Sequence, residues 1–511
     1  MERKSYITAV DLGSSNVVVA VAAKQEEGLE LKALVSKPVQ GVRAGQIDNI
    51  EQVSQAVVAA ITEAGAEAGI RITEAYAGVS GEFVRCARHT DYVFVANPQN
   101  GVSEQDVRSL FDRMRNLQAP EKEVIMEHIP QNYLVDDEQE VLNPIGSFGR
   151  KLSSTFNFVL CGTTPMERIE MALKRAGVLL AGVLPNTLAV PEAVLTPDEK
   201  EEGVAVIDIG GGVTDITVYY RNVVRYVASI PIGSIAINHD IRTMGVPERY
   251  VESLKQKYGS AVAERVSEEK LIRVTGRTAR ESRDILLRNL ATVIESRAMD
   301  IVDFVKEELK ISGYENRLAY GLVLTGGSAN LHDLDELFRI ATKMEVRVAV
   351  PEIGITADSL ERVADPAYAT IVGLMLKGAE RNALGTAYIP DARAAQKPMP
   401  VQTPVAAPSN IAAPAEPKPL QTPVVPPMPA PMPTPAPATP APATPAVSTP
   451  ASTPVEKPYV PAVEPIVQKG EPTQPEEEET EEPVAEKKQG GFFKFLGKLT
   501  EMFESPGDEE I

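Results

Sequence analysis

Cysteine is nearly absent from this chain: Cys86 and Cys161 stand alone in 511 residues. Two thiols are too few for a secreted disulfide framework and have no metal-ligand spacing, so a reducing compartment fits. The four histidines, His89, His128, His239 and His332, are scattered without catalytic or zinc-site spacing. No apolar run reaches the ~18 residues that a spanning helix needs. The start, MERKSYITAVDLG, enters a strand-like pattern without an apolar signal core. The expectation is a protein neither exported nor transmembrane. Basic charge is also short, with 51 Lys and Arg against 71 Asp and Glu and a net charge of −20, which argues against nucleic acid as the main partner. Familiar nucleotide motifs are missing as well. No GxGxxG follows a strand, and the P-loop-like run from Gly491 to Lys498 has one residue too many between its glycines and Leu499 where a hydroxyl should hold magnesium.

Against these absences stands a glycine hairpin. Residues 203–220 read GVAVIDIGGGVTDITVYY, two valine- and isoleucine-rich runs around Asp208, Gly210, Gly211, Gly212, Thr214 and Asp215. This is a strand, turn, strand pattern. Successive glycines let backbone N–H groups approach a phosphate, and carboxylates at the two ends can hold magnesium through water. Alone, the stretch reads equally well as a tight turn with solvated aspartates. A second copy of the plan lies at 6–23, YITAVDLGSSNVVVAVAA, with Asp11, Gly13, Ser14, Ser15 and Asn16 between its strands. Two such hairpins suggest related half-molecules facing each other across a cleft, with phosphates gripped from both sides. A third glycine element, YGLVLTGGSANL at 320–331, carries Gly326, Gly327 and Ser328 between a strand and a helix expected to begin near Asp333. By itself it is an ordinary strand-to-helix turn; beside the hairpins it becomes a nucleoside contact.

Between these elements, apolar spacing predicts a strand at 32–37, a helix at 49–69 and a strand at 74–79. In that helix Ala56, Val57, Ala60, Ile61 and Ala64 form a core-facing stripe. Residues 82–160 read as an inserted subdomain, strands around a helix at 103–117 capped by Ser103 and Asp106. An amphipathic helix at 164–177, a strand at 178–184 and a short helix at 187–195 follow. Residues 234–310 read as mostly helical and rich in charge pairs.

Of the 41 prolines, 27 fall after residue 390, so the folded part is expected to end there. Residues 391–488 repeat PAPATP-like runs with few large apolar residues and cannot bury enough surface to fold. A coil of that length spans about 50 to 60 Å, and proline stiffening extends it. EEEETEE at 476–482 keeps it solvated and away from anionic lipid. The character then changes at 489–505. Phe492, Phe493, Phe495, Leu496, Leu499, Met502 and Phe503 cover one half of a helical wheel, with Lys494 and Lys498 opposite. The pattern fits an in-plane membrane helix; the alternative is a helix docked back onto the folded part.

Asp-x-Gly-Ser-Ser near the start, Asp-x-Gly-Gly-Gly-x-Thr-Asp in the middle and a late Gly-Gly-Ser resemble the phosphate-1, phosphate-2 and adenosine motifs of the actin, heat-shock chaperone and sugar kinase superfamily. Within it the chain is similar to the bacterial FtsA cell division family. GVSEQDVRSLFDRM and EHIPQNYLVDDEQEVLNPIGSFGRKL resemble that family's 1C subdomain, and IPIGSIAINHDI, LKQKYGSAV, VIESRAMDIVDFV and DPAYATIVGL resemble its later blocks. The resemblance covers about residues 5–385. It implies an α/β, actin-like two-lobed ATPase fold with an FtsA-type 1C subdomain, followed by a disordered Pro-rich linker and a C-terminal amphipathic helix. In the family's terms, 1A is 1–82 with 163–190 and 359–390, and 1C is 83–162. Subdomain 2A is 191–230 with 305–358, 2B is 231–304, the linker is 391–488 and the membrane helix is 489–505.

The resemblance further implies ATP and magnesium as cofactors, with Asp11 and Asp208 as magnesium-water ligands and Asp208 as the one, weak, catalytic candidate. Gly13, Ser14, Ser15, Asn16, Gly210 to Gly212, Thr214 and Asp215 fall in the phosphate motifs, and Gly326, Gly327 and Ser328 line the nucleoside. The implied role is a peripheral protein on the cytoplasmic face of the membrane at the division site. There it would self-associate into filaments, bind the C-terminal peptide of FtsZ through 2B, and help recruit later division proteins. Arg273, Arg277, Arg280, Arg283, Arg288 and Arg297 are candidates for an acidic peptide, or simply a solvated helix face. Two departures from the family pattern matter. Asn16 stands where a lysine is common, and Val213 where a hydroxyl is common; since phosphoryl transfer depends on electrostatic stabilisation, the expectation is binding with little or no turnover. An ATP-dependent kinase or chaperone-like ATPase of the same superfamily is the enzyme alternative, for which only Glu192 offers a base, and a PilM-like scaffold is the third.

Overall fold

The computed structural model describes residues 6–275 and 282–383. Two five-stranded units share one strand plan. In the first, Leu179–Pro185, Glu74–Val79 and Tyr6–Leu12 run parallel, and the chain then folds back antiparallel through Asn16–Lys24 and Leu29–Pro38. In the second, Val346–Val348, Leu322–Thr325 and Val204–Ile209 are parallel, continued antiparallel by Thr214–Tyr220 and Val223–Ile230. Both hairpin strands are apolar without alternation because both faces are covered: Val17 through Ala23 are all buried. Each glycine turn therefore sits at the end of a rigid central strand pair, where ligands of open α/β sheets bind.

The second sheet continues into the inserted subdomain. Val223–Ile230 meets Val84–Phe94 through the single pair Ala228 and Arg85, and Lys151–Gly162, Glu123–Val135 and Gln139–Val141 follow. Helix Glu104–Arg115 covers this extension, its Ser103 and Asp106 forming the expected reciprocal cap, and Leu110 and Met114 are fully buried. The helix expected at 49–69 spans Ile50–Ala68, with the Asn49 side chain accepting from Gln52 N at 3.2 Å. Helices Asn186–Val194 and Ala369–Ala383 pack against each other between the two sheets.

One expectation changes. The region read as helical from 234 to 310 contains helices Ser234–Thr243, Glu248–Tyr258 and Leu287–Ser312, but also an antiparallel pair, Leu271–Thr275 with Ser282–Leu286. Their sequences, LIRVT and SRDIL, place Ile272 and Val274 of one strand on the same side as Ile285 of the other, and Val274 and Ile285 are buried there. Arg273 and Arg283 therefore project from strands. All four arginines of the proposed basic set that are described already have partners: Arg273 with Asp284, Arg283 with the Met244 carbonyl, Arg288 with Glu268 and Arg297 with Asp240. Arg277 and Arg280, the linker and the 489–505 helix lie outside the described residues.

Candidate functional site

The two hairpins and the third glycine turn converge on one cavity of about 830 Å³. Asp11, Gly13, Ser14, Ser15, Asn16, Asp208, Gly210, Gly211, Gly212, Asp215, Gly326, Gly327 and Ser328 all line it. Thr214 does not: it is fully buried, and its Oγ1 donates to the Ile232 carbonyl at 2.9 Å. Alternation along the strand explains this, since Asp215 faces the cavity and its neighbour must face the other way. The hairpin tips touch across the cleft. A Cβ on Gly212 would lie 2.6 Å from Ser14 Oγ, and one on Gly211 would meet Ser15 Oγ, so a side chain at either position would push a serine hydroxyl out of the space between the turns. Ser328 Oγ donates to the Gly210 carbonyl at 2.9 Å, which fixes the third turn against the second.

Three carboxylates lie in this wall, Asp208 and Asp215 buried and Asp11 half-buried. Burial pushes Asp11 up to about 7, with the Asp208 charge adding to it, and Asp215 up to about 7, again with Asp208 adding. Asp208 is pushed up to about 6 by burial, opposed by the hydrogen bond it accepts from Thr370 Oγ1 at 2.9 Å. Such groups are costly to ionise in the empty protein and gain most from a cation. Among the described residues no group of three His, Cys, Asp or Glu is placed to ligate a metal directly. Two further polar side chains face the same space: Ser80, whose hydroxyl lies against the Asp215 carboxylate, and Asn186, only 8% exposed, whose Oδ1 has no partner among the described residues. In register, Pro185 pairs with Val79, so Asn186 and Ser80 are the next positions on adjacent parallel strands. An orphaned buried acceptor, clustered carboxylates and a glycine cradle together fit a magnesium nucleotide.

Glu252, Lys255 and Gln256 of helix Glu248–Tyr258 also line the cavity. Lys255 Nζ lies 2.9 Å from Glu252, and burial lowers its pKa. Sequence reading placed Lys255 and Gln256, like Thr370, in family blocks without chemistry, and it missed Glu252, Ser80 and Asn186. Glu192, the one base considered, is not on the cavity wall but pairs with Lys200 at 2.7 Å and Lys377 at 3.6 Å.

A family profile described as Cell division protein FtsA matches residues 205–373, and one described as SHS2 domain inserted in FTSA matches 81–160. The cell division protein FtsA of Pseudomonas aeruginosa is 32% identical over 383 residues, covering 74% of this chain and 90% of that protein. The chain belongs to the FtsA family. The Bacillus subtilis FtsA is 29% identical over 377 residues, covering 73% of this chain and 84% of that protein. Among solved structures, the PilM-PilN type IV pilus biogenesis complex aligns with a TM-score of 0.51 at 15% identity, over 73% of this chain and 98% of that one. At that identity only the fold is shared, the actin-like two-lobed fold expected from the paired hairpins. The SHS2 match falls on the inserted strands and helix, so this FtsA-family chain carries the insertion that its relatives are described by. No described helix is long and apolar enough to cross a membrane.

The raised carboxylates predict a pH dependence. Asp11, Asp208 and Asp215 hold protons in the folded state that they lose when unfolded, so their contribution to stability is full below the unfolded value and is lost as pH rises through 6 to 7. A bound magnesium nucleotide removes that penalty. The rise in melting temperature caused by Mg·ATP should therefore be larger at about pH 8 than at about pH 5.5. Differential scanning fluorimetry at the two values checks it; an equal rise would show that these groups do not face the ligand.

Proposed function

We propose that this chain is a membrane-tethered, ATP-binding, actin-like filament protein that links the FtsZ ring to the cytoplasmic face of the membrane at the division site. In this reading it helps recruit later division proteins, and subdomain 2B receives the FtsZ C-terminal peptide. The observation that carries the reading is the convergence of two hairpins from two like-built sheets on one cavity walled by three carboxylates, two of them buried. Magnesium, when bound, supplies positive charge against the phosphates; Asp11 and Asp208 hold its waters. Ser14, Ser15 and the backbone of Gly210 to Gly212 hold the phosphates, and Gly326 to Ser328 support the nucleoside. Asn16 and Val213 both line the cavity, so the first hairpin contributes no cation and the second no extra hydroxyl beside the terminal phosphate. The site is thus a clamp with little or no turnover, one that fixes a polymerising shape.

Attachment is assigned to residues 489–505. One short amphipathic helix binds weakly, and a filament that presents many gains through effective concentration. In liposome flotation with Mg·ATP, the full chain should carry a labelled FtsZ C-terminal peptide to the lipid fraction. The Phe492→Glu/Phe495→Glu variant should lose about tenfold or more of that flotation. Equal flotation of both chains would sink the anchor, and lipid-bound chain without peptide would sink the FtsZ link.

A further inference from the structure

The nucleoside end of the cavity is built from two walls that belong to different packing units. One wall is the turn running from Gly326 to Leu331, attached to the second sheet; the other is helix Glu248–Tyr258, which presents Glu252, Lys255 and Gln256. Nothing in the strand plan ties these walls together. They are tied just outside the cavity, at Asp333.

Asp333 follows the first wall by two residues and adopts a left-handed backbone, φ 61° and ψ 14°, at the cap of helix Leu334–Thr342. Its side chain is only 7% exposed and accepts from three directions. Ser260 Oγ, two residues beyond the second wall's helix, donates to Oδ2 at 2.7 Å, and Arg265 donates to Oδ1 at 2.9 Å. His332 Nδ1 lies 2.6 Å from Oδ2. The backbones join at the same point, Ala261 N donating to the His332 carbonyl at 2.8 Å, and Arg265 also reaches Glu336 at 2.8 Å. Leu331, a cavity residue, packs against both the second-sheet core and the small core of the 237–294 region.

A non-glycine residue in this backbone conformation costs free energy, and aspartate bears it at least penalty among charged side chains. The strained residue is also the one whose carboxylate receives the Ser260 and Arg265 side chains across the junction. We infer that Asp333 is a positioning residue for the nucleoside half of the site: it sets the spacing between the Gly326–Leu331 turn and the Glu252–Gln256 helix face without touching ligand. The inference rests on the nucleotide reading of the cavity. The phosphate half, held by the two hairpins, is independent of Asp333.

That independence gives the test. Asp333→Gly keeps the left-handed backbone free of strain and removes only the carboxylate. Affinities of the full chain for Mg·ATP and for Mg·tripolyphosphate, which has the phosphates and no nucleoside, are measured by calorimetry. Asp333→Gly should weaken Mg·ATP by about tenfold and leave Mg·tripolyphosphate within about twofold, with Asp333→Asn between the parent and the glycine variant for Mg·ATP. If Asp333→Gly does not fold, the Ser260→Ala/Arg265→Gln variant carries the same expectation, since it removes two of the three donors and leaves the strained backbone in place. Equal weakening of both ligands, or of neither, overturns the assignment. A parent chain that binds tripolyphosphate but gains nothing from the nucleoside overturns it as well, and one that binds neither overturns the nucleotide reading beneath it.

Discussion

Gly326→Ala should reduce Mg·ATP affinity by about a hundredfold or more, while Gly327→Ala, one position along, should change it by less than about threefold. The two glycines share a motif and differ in what surrounds them. Gly326 has φ 84° and ψ 163°, a region only glycine occupies without strain, and a Cβ there would collide with Asp208 Oδ1 and lie 2.7 Å from the Ile209 carbonyl. Strain of this kind costs about 1–3 kcal/mol, and relieving the collision must move either Asp208 or the turn. Asp208 cannot move without giving up Thr370, and the turn cannot move without giving up the Gly326 N–H bond to the Pro366 carbonyl at 3.1 Å. Either escape displaces a wall of the cavity. At Gly327 an added Cβ meets only Ala367 Cβ, at 3.6 Å, an ordinary contact. Calorimetric titration of both variants, with thermal melts to confirm folding, decides it. Parent-like affinity in Gly326→Ala would mean that the turn is not part of a nucleotide site.

Much of this site was legible because its parts are local. A hairpin with glycines at its turn and carboxylates at its ends announces both its strands and its chemistry within about twenty residues, and the repeat of that plan announces the cleft. The caps of helices Ile50–Ala68 and Glu104–Arg115 were legible for the same reason: Asn49, Ser103 and Asp106 act on backbone within three residues of themselves. What escaped is what only three-dimensional adjacency creates. Ser80 and Asn186 are unremarkable in their own segments and meet because two parallel strands end side by side, and Thr370 reaches Asp208 from 162 residues away. Thr214 was taken with its motif because sequence does not show that strand alternation turns it inward. The pair Leu271–Thr275 and Ser282–Leu286 escaped because its strands are short, SRDIL carries no apolar–polar alternation, and both are embedded among helices rich in charge pairs.

Arg225→Ala should destabilise the folded chain by about 3 kcal/mol and loosen the inserted subdomain first, a larger effect than any surface substitution. Arg225 is 1% exposed, and it donates only to neutral oxygens: Nε to the Tyr220 carbonyl at 3.0 Å, and one Nη to Asn132 at 3.1 Å and Gln131 at 3.3 Å. Burial lowers its pKa, and the Tyr314 ring, 5.9 Å from the guanidinium carbon, supplies part of the compensation. The backbone around it is used in the same way, since Asn157 Nδ2 donates to the Arg225 carbonyl at 2.7 Å and Gln131 Nε2 to the Val224 carbonyl at 3.0 Å. Gln131, Asn132 and Asn157 belong to the insertion, whereas Tyr220, Val224 and Arg225 belong to the second sheet. The strand pairing between the two is a single residue pair, Ala228 with Arg85, and the link is completed by this polar cluster and by the apolar core that Val224 and Val227 share with Val84, Met126 and Val159. Alanine leaves three acceptors facing a cavity, each costing about 1–3 kcal/mol if unsatisfied and less where water enters. Methionine fills the volume but cannot donate, so Arg225→Met should lose about half as much. Hydrogen exchange should locate the damage: amides of Glu123–Val135 and Lys151–Gly162 exchange faster in Arg225→Ala, while those of Tyr6–Leu12 and Asn16–Lys24 keep their protection. Uniform acceleration across both sheets would show that the insertion and the second sheet unfold as one unit, and unchanged exchange would show that the single strand pair and the shared apolar core suffice to hold them.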